Sequence, residues 1–197
     1  MPNIKIVGTG LLGTSLGLAL ARQGIVAQLV DNSKSALRLA IEYGAGVEAH
    51  SEPDLVVVCV PPDSTAEIVI EQLRQHPSAF VTDVASVKAE IARQVAESGL
   101  GERYVGSHPM AGRERGGAVS ARADIFTGRA WVLCPTSAST TESVRLVEDL
   151  AHDVGASLVR MSPADHDAAV AVVSHVPQVV SSAVAASLLG AAGDAMK

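Results

Sequence analysis

The most constraining feature of the chain lies near its start. Ile4-Lys5-Ile6-Val7, a β-branched run, leads straight into Gly8-Thr9-Gly10-Leu11-Leu12-Gly13, and a helical repeat with Leu12, Leu16, Ala19 and Leu20 on one side follows. In a G-x-G-x-x-G turn set between a strand and a helix the three glycines do different jobs. Gly8 permits the tight turn, Gly10 lets the backbone approach a pyrophosphate, and Gly13 lets the helix press on the strand so that its first amides point at the anion. Leu11 and Leu12 open that helix and share the contact. A second strand, Val26 to Val30, ends at Asp31, eighteen residues after Gly13, close to the about 20 expected for an acid on the ribose hydroxyls. The carboxylate favours NAD and repels the 2′-phosphate of NADP, although Lys34 and Arg38 lie near enough to weaken that preference.

The same alternation continues. Further apolar runs at Leu55 to Val60, Phe80 to Val84, Tyr104 to Gly106, Trp131 to Leu133 and Leu158 to Met161 are separated by amphipathic segments. Several are apolar throughout, as strands covered on both faces must be. The fold class is α/β: a Rossmann-type, mostly parallel sheet with flanking helices. Ser64 with Glu67, and Ser139 with Glu142, match capping boxes, and Ser162-Pro163-Ala164-Asp165 combines a cap, a first-turn proline and an acid at the positive end of the dipole.

Beyond Pro163 the composition turns to Ala, Val and Ser as far as Leu189, with Pro177 as the one interior breaker, which predicts a long helix kinked there. The expected division is a dinucleotide-binding domain over 1–161 and the first helix of a second, truncated domain over 162–197. A helix apolar around most of its circumference needs covering, so either a second subunit packs on it, as a homodimer, or the chain is a fragment.

Composition narrows the function classes. With 197 residues, 48% of them hydrophobic, the chain can bury one sizeable core and a small appendage. A net charge of −6 and 3% aromatic residues disfavour nucleic acid and anionic membranes as partners. No 18-residue apolar stretch free of both charges and breakers is present, and the start lacks the pattern of a secretory signal. Cys59 and Cys134 each end an apolar run, which suits free buried thiols in a reducing cytoplasm.

Candidate chemistry gathers at the strand ends, where open α/β sheets bind ligands. The Val60-Pro61-Pro62-Asp63-Ser64 turn should flank the cofactor through Val60, Pro61 and Ser64; a proline-stopped strand with a helix cap explains it equally well. Thr82 to Lys88 and Gly106 to Gly112 close two further strands. Oxidising a carbinol leaves a hydroxyl proton to be taken up, and a neutral imidazole is suited to that near pH 7. His108 is the candidate base, Ser86 could hydrogen-bond the same oxygen, and Lys88 could anchor an anion. Against these, Ser86 could cap a helix starting near Val87, and His108 could be a surface turn residue. Metal ligation is not expected: His166 and His175 fall on opposite faces of a straight helix, and no H-E-x-x-H pair exists.

The run Gly106-Ser107-His108-Pro109-Met110-Ala111-Gly112-Arg113-Glu114, with Asp83 to Lys88, His166-Asp167 and Ser174-His175-Val176-Pro177, resembles the prephenate and arogenate dehydrogenases of tyrosine biosynthesis. The resemblance implies NAD(P)-dependent oxidation of a cyclohexadienol with loss of the ring carboxylate: prephenate to 4-hydroxyphenylpyruvate, or arogenate to tyrosine. It implies that His108 accepts the hydroxyl proton, that Ser86 hydrogen-bonds the hydroxyl, and that Gly112, Glu114 and Gln178 adjoin the substrate. Gln178 stands where the family usually has a histidine, so the choice between the two substrates stays open. The family continues into a helical dimerisation domain that supplies an arginine for the ring carboxylate, whereas this chain stops at Lys197; Arg113 and Arg115 read as solvated loop charges. A second reading follows: a nucleotide-binding or dimerisation module without activity of its own. A third, a 3-hydroxyacid dehydrogenase, is disfavoured because such enzymes use a lysine on the long helix and none lies between Pro163 and Met196.

Overall fold

The computed structural model describes residues 2–112 and 116–172. In chain order these form β1 (Ile4–Val7), α1 (Leu11–Arg22), β2 (Gln28–Val30), α2 (Lys34–Glu42), β3 (Val47–Glu48), β4 (Leu55–Val58), α3 (Pro62–Gln75), β5 (Phe80–Asp83), α4 (Ala89–Glu97), β6 (Tyr104–Pro109), β7 (Ala130–Cys134), α5 (Thr141–Asp153), β8 (Ser157–Arg160) and α6 (Pro163–Val170). One sheet runs in the order β3-β2-β1-β4-β5-β6-β7-β8. The first six strands are parallel, β7 runs against β6, and β8 runs with β7. The expected mostly parallel Rossmann-type sheet is therefore what forms.

Burial explains the unbroken apolar runs. Leu55 and Val57 of β4 enter one core with Leu16 and Leu20 of α1 and Leu150 of α5, while Val56 and Val58 enter a second core with Val69 and Leu73 of α3 and Ile91 and Val95 of α4. Successive strand residues point to opposite faces, so both must be apolar. Among the described residues, no helix is long and apolar enough to cross a membrane.

Most strand ends shift by a residue or two from expectation, and four differences have a clear physical cause. The two-residue β3 was not anticipated, because it is too short to carry a period. Helix α3 starts at Pro62 rather than after Ser64, with no side-chain cap: proline is preset for the first turn and lacks the amide that would need a partner. Thr65 Oγ1 instead donates to the Pro61 carbonyl at 2.9 Å. The α5 cap is Thr140, whose hydroxyl accepts from Ser143 N at 3.2 Å, while Ser139 Oγ donates to the Tyr104 carbonyl at 2.9 Å and ties the preceding loop to β6. Finally, β6 runs on to Pro109, because antiparallel pairing with β7 gives residues 107 to 109 partners. Helix α6 begins as expected, with Ser162 Oγ accepting from Asp165 N at 3.1 Å. The stretch toward Leu189, the Pro177 kink and Gln178 lie outside the described residues, as does Glu114.

Candidate functional site

The glycine-rich turn is dictated by contacts a side chain would violate. Gly8 has φ +98°, and a Cβ there would stand 2.5 Å from the Cys59 carbonyl oxygen; a Cβ on Gly13 would stand 1.9 Å from the Gly8 oxygen. Gly10 differs: its φ is −69° and a Cβ would meet nothing within 4 Å. Neither sterics nor conformation inside the protein demands glycine there, so the bare position fits an outside group that comes close to the backbone. Helix α1 has no side-chain cap and no acid in its first turn, which leaves the amides of Leu11, Leu12 and Gly13 and the positive dipole end for an anion.

Asp31 is wired to this turn. Its Oδ2 accepts from Thr9 N at 2.6 Å and Thr9 Oγ1 at 2.8 Å, and its Oδ1 accepts from Ser33 N at 2.7 Å. The carboxylate thus holds the second residue of the turn and keeps one Oδ1 lone pair for an external hydroxyl. Val60 also adjoins the turn, its Cγ1 lying 3.3 Å from where a Gly8 Cβ would be. Pro61 is exposed and Ser64 half-buried on the segment that follows.

At the end of β5 a buried polar cluster replaces the expected anion anchor. Lys88 is fully buried and its Nζ pairs with Asp83 Oδ1. Asp83 Oδ1 also accepts from Ala85 N at 2.9 Å, and Oδ2 accepts from the Tyr104 hydroxyl at 2.6 Å. Burial, reinforced by the Asp83 charge, pushes the Tyr104 phenol well above its ordinary value. Lys88 is consumed by this cluster and does not present a charge to a ligand. Ser86, between the two ends of the cluster, is half-buried and makes no hydrogen bond among the described residues. It does not cap α4: Asp167 does, with Oδ1 accepting from Lys88 N at 2.8 Å and Oδ2 from Ala89 N at 2.9 Å.

His108 is half-buried within β6 rather than in a surface turn, level with Val132 of β7. Its Nδ1 lies 2.9 Å from Nε2 of His166, the rings meeting edge to face with centroids 5.1 Å apart. His166 is fully buried, and its Nδ1 lies 2.7 Å from Asp167 Oδ1. Along the sheet Val7, Val58, Asp83 and Gly106 stand level. Ser86 and His108 therefore project past the same carboxyl edge as the glycine turn, with β6 three strand spacings, roughly 14 Å, from β1.

A family model described as "Prephenate dehydrogenase, nucleotide-binding domain" matches residues 16–160. The chain belongs to this prephenate dehydrogenase family. It is 37% identical to a probable prephenate dehydrogenase, NovF, of Streptomyces niveus over its whole length, which is 55% of that protein. A crystal structure of Aquifex aeolicus prephenate dehydrogenase in complex with hydroxyphenyl propionate and NAD+ superposes with a TM-score of 0.87 at 30% identity, covering 96% of this chain and 70% of that one. Synechocystis arogenate dehydrogenase gives 0.83 at 30% identity, covering 94% and 68%. The chain spans about half to two thirds of the length of the curated relatives it matches.

Within the prephenate dehydrogenase fold, then, the structure gathers Gly8, Gly10, Leu11, Leu12, Gly13, Asp31 and Val60 at one end of the carboxyl edge and Ser86 and His108 at the other. Gly112 is exposed on the rim of an open depression of about 460 Å³, which Met110, Arg122, Asp124 and Arg129 also line. His166 and Asp167, which in sequence carry part of the family resemblance, were given no role in the site there. Their signal is the Ser162 cap: it fixes where α6 begins, so both residues fall in the second turn of a helix packed on α4 and β7.

Proposed function

We propose that the chain carries the dinucleotide half of an NAD-dependent dehydrogenase acting on prephenate or arogenate, with His108 as the general base and Ser86 hydrogen-bonded to the reacting hydroxyl. The observation that carries this reading is the half-buried imidazole of His108 near the carboxyl end of β6, on the same edge as a glycine turn whose Gly10 is left bare toward the outside. The A. aeolicus relative, solved with NAD+ and an aromatic acid, supports it.

The amides opening α1, the Gly10 backbone and Asp31 would hold NAD, with Val60, Pro61 and Ser64 flanking it; NADP is disfavoured by the Asp31 carboxylate. NAD, when bound, accepts the hydride from the ring carbinol carbon. His108 takes the hydroxyl proton, and Ser86 orients the oxygen so that its lone pairs stay aligned with the departing C–H bond. Once the carbinol carbon is a ketone, loss of the ring carboxylate as carbon dioxide returns its bonding electrons to the ring and makes it aromatic. Gly112, Glu114 and Gln178 are assigned to the substrate side. Residues 1–161 form the dinucleotide domain, residues 162–197 begin a helical domain that pairs two chains, and the protein works in the reducing cytoplasm with Cys59 and Cys134 as free thiols.

The test mixes the chain with NAD and each substrate and follows absorbance at the NADH band. Turnover by the wild type, reduced about 10²- to 10⁴-fold in His108→Asn with NAD affinity retained, is the expected result. Undiminished turnover in His108→Asn removes the residue from the mechanism. NAD binding without turnover by the wild type favours the module reading.

A further inference from the structure

We propose that His166 and Asp167 are positioning residues for His108: the carboxylate sets the tautomers of a two-imidazole relay so that Nε2 of His108 is the unprotonated nitrogen offered to the reacting hydroxyl, and the same carboxylate fixes the turn bearing Ser86. This rests on the reading of His108 as the base.

Donors and acceptors fix the protons along this line of groups. Burial alone raises the Asp167 carboxyl, but donation from the Ala89 amide, the His166 ring and the Lys88 amide outweighs it and holds the group below its ordinary value. An ionised carboxylate only accepts. Nδ1 of His166, 2.7 Å away, must therefore carry a proton, which leaves Nε2 of the neutral ring as an acceptor. That nitrogen lies 2.9 Å from Nδ1 of His108, which must then donate. In the neutral His108 ring the single N–H proton then sits on Nδ1, so Nε2 keeps its lone pair. When Nε2 takes a proton, the new positive charge is felt by the Asp167 carboxylate one imidazole away.

Among the described residues, the charges nearest the relay are largely matched by partners of their own. Asp83 from β5 and Lys88 before α4 neutralise each other, and the Tyr104 hydroxyl of β6 donates to Asp83. Burial pushes the Cys134 thiol of β7 up to about 12. On α4 the exposed Glu90 pairs with Arg93. The same Asp167 oxygens also receive the Lys88 and Ala89 amides. The segment from Asp83 to Lys88 is thus held at its start by side chains and at its end by Asp167, with Ser86 between. One carboxylate sets both groups that are to touch the hydroxyl.

The test reads histidine tautomers by long-range ¹H–¹⁵N correlation in the wild-type chain and in Asp167→Asn, a measurement that needs no turnover. In the wild type, both His166 and His108 should be protonated at Nδ1 when neutral; a His166 protonated at Nε2 overturns the relay. In Asp167→Asn the remaining oxygen stays with the α4 amides and the new NH₂ faces His166. The relay should then reverse, and His108 should lose about tenfold in proton affinity. The matching kinetic signature is a kcat about 10- to 100-fold lower, with KM little changed and the acid limb of kcat/KM moved to lower pH. A plain helix cap would lower the melting temperature and leave tautomers and pH profile alone, and that outcome overturns the proposal. Collapse of turnover in His108→Asn with an unaltered Asp167→Asn sinks the relay but spares the base. Full turnover in His108→Asn sinks the base, whatever the tautomers show.

Discussion

The two ends of the carboxyl edge are built by different means. The end at β1 is written in backbone: a contiguous Gly8–Gly13 turn, closed by Asp31 on the amide of Thr9, where what matters is where side chains are missing. The end at β5 and β6 is written in side chains that arrive from three separate segments, and its interior is polar, with Asp83, Lys88, Ser107 and His166 all buried. A phosphate group needs only amides and a dipole, which any peptide can present. A proton acceptor needs a particular nitrogen in a particular protonation state, which only surrounding side chains can impose. Anion binding is therefore encoded locally, and acid–base chemistry through tertiary contacts.

The largest effect that could break this contrast comes from the buried ion pair. Lys88→Met leaves the Asp83 carboxylate in the core without its counter-charge, and the expected loss is about 3–5 kcal/mol in urea unfolding. Adding Asp83→Asn should recover part of it. A loss near zero would mean that the reacting end is held by packing and not by its ion pair.

A paired substitution sharpens the other side. Gly13→Ala drives a methyl group into the Gly8 carbonyl and should cost about 1–3 kcal/mol or more. Gly10→Ala meets nothing, so its stability should stay within about 0.5 kcal/mol of wild type, while NAD affinity measured by titration calorimetry falls at least about tenfold. Equal NAD affinity in Gly10→Ala would show that the bare backbone there serves something other than the dinucleotide.

How far each end was legible follows from the same contrast. The glycine turn, Asp31 and the strands flanking them could be read directly, because each depends on residues adjacent in sequence and on the apolar period of a sheet covered on both faces. His108 and Ser86 could be placed at strand ends, but their surroundings could not. Lys88 reads as a free charge until its side chain is seen folding back onto Asp83, five residues earlier. His166 reads as a failed metal ligand until α6 is seen to lay it against β6. The caps went astray by a residue or two because Ser, Thr and Pro stand together at the starts of α3 and α5, and only the tertiary hydrogen bonds of Thr65 and Ser139 decide among them.

The smallest predicted effect separates the ends by pH. Amide and imidazole donors hold Asp167 below its ordinary value in spite of burial, so the folded state binds its proton more weakly than the unfolded chain does. The stability it contributes is present above the ordinary aspartate value of about 4 and fades as pH falls through the lower folded value. Its size is that of a helix cap, about 1 kcal/mol, and Asp167→Ala should lower stability by that amount at neutral pH. The gap between wild type and variant, followed by chemical denaturation from pH 7 downward, should narrow below pH about 4, because protonation removes from the wild type the charge that the variant already lacks. Gly10→Ala, whose effect involves no titrating group, should keep the same offset from wild type throughout. A gap in Asp167→Ala that stays constant into acid would place the capping strength in the shape of the side chain and not in its charge, and the reacting end would then share the backbone logic of the glycine turn.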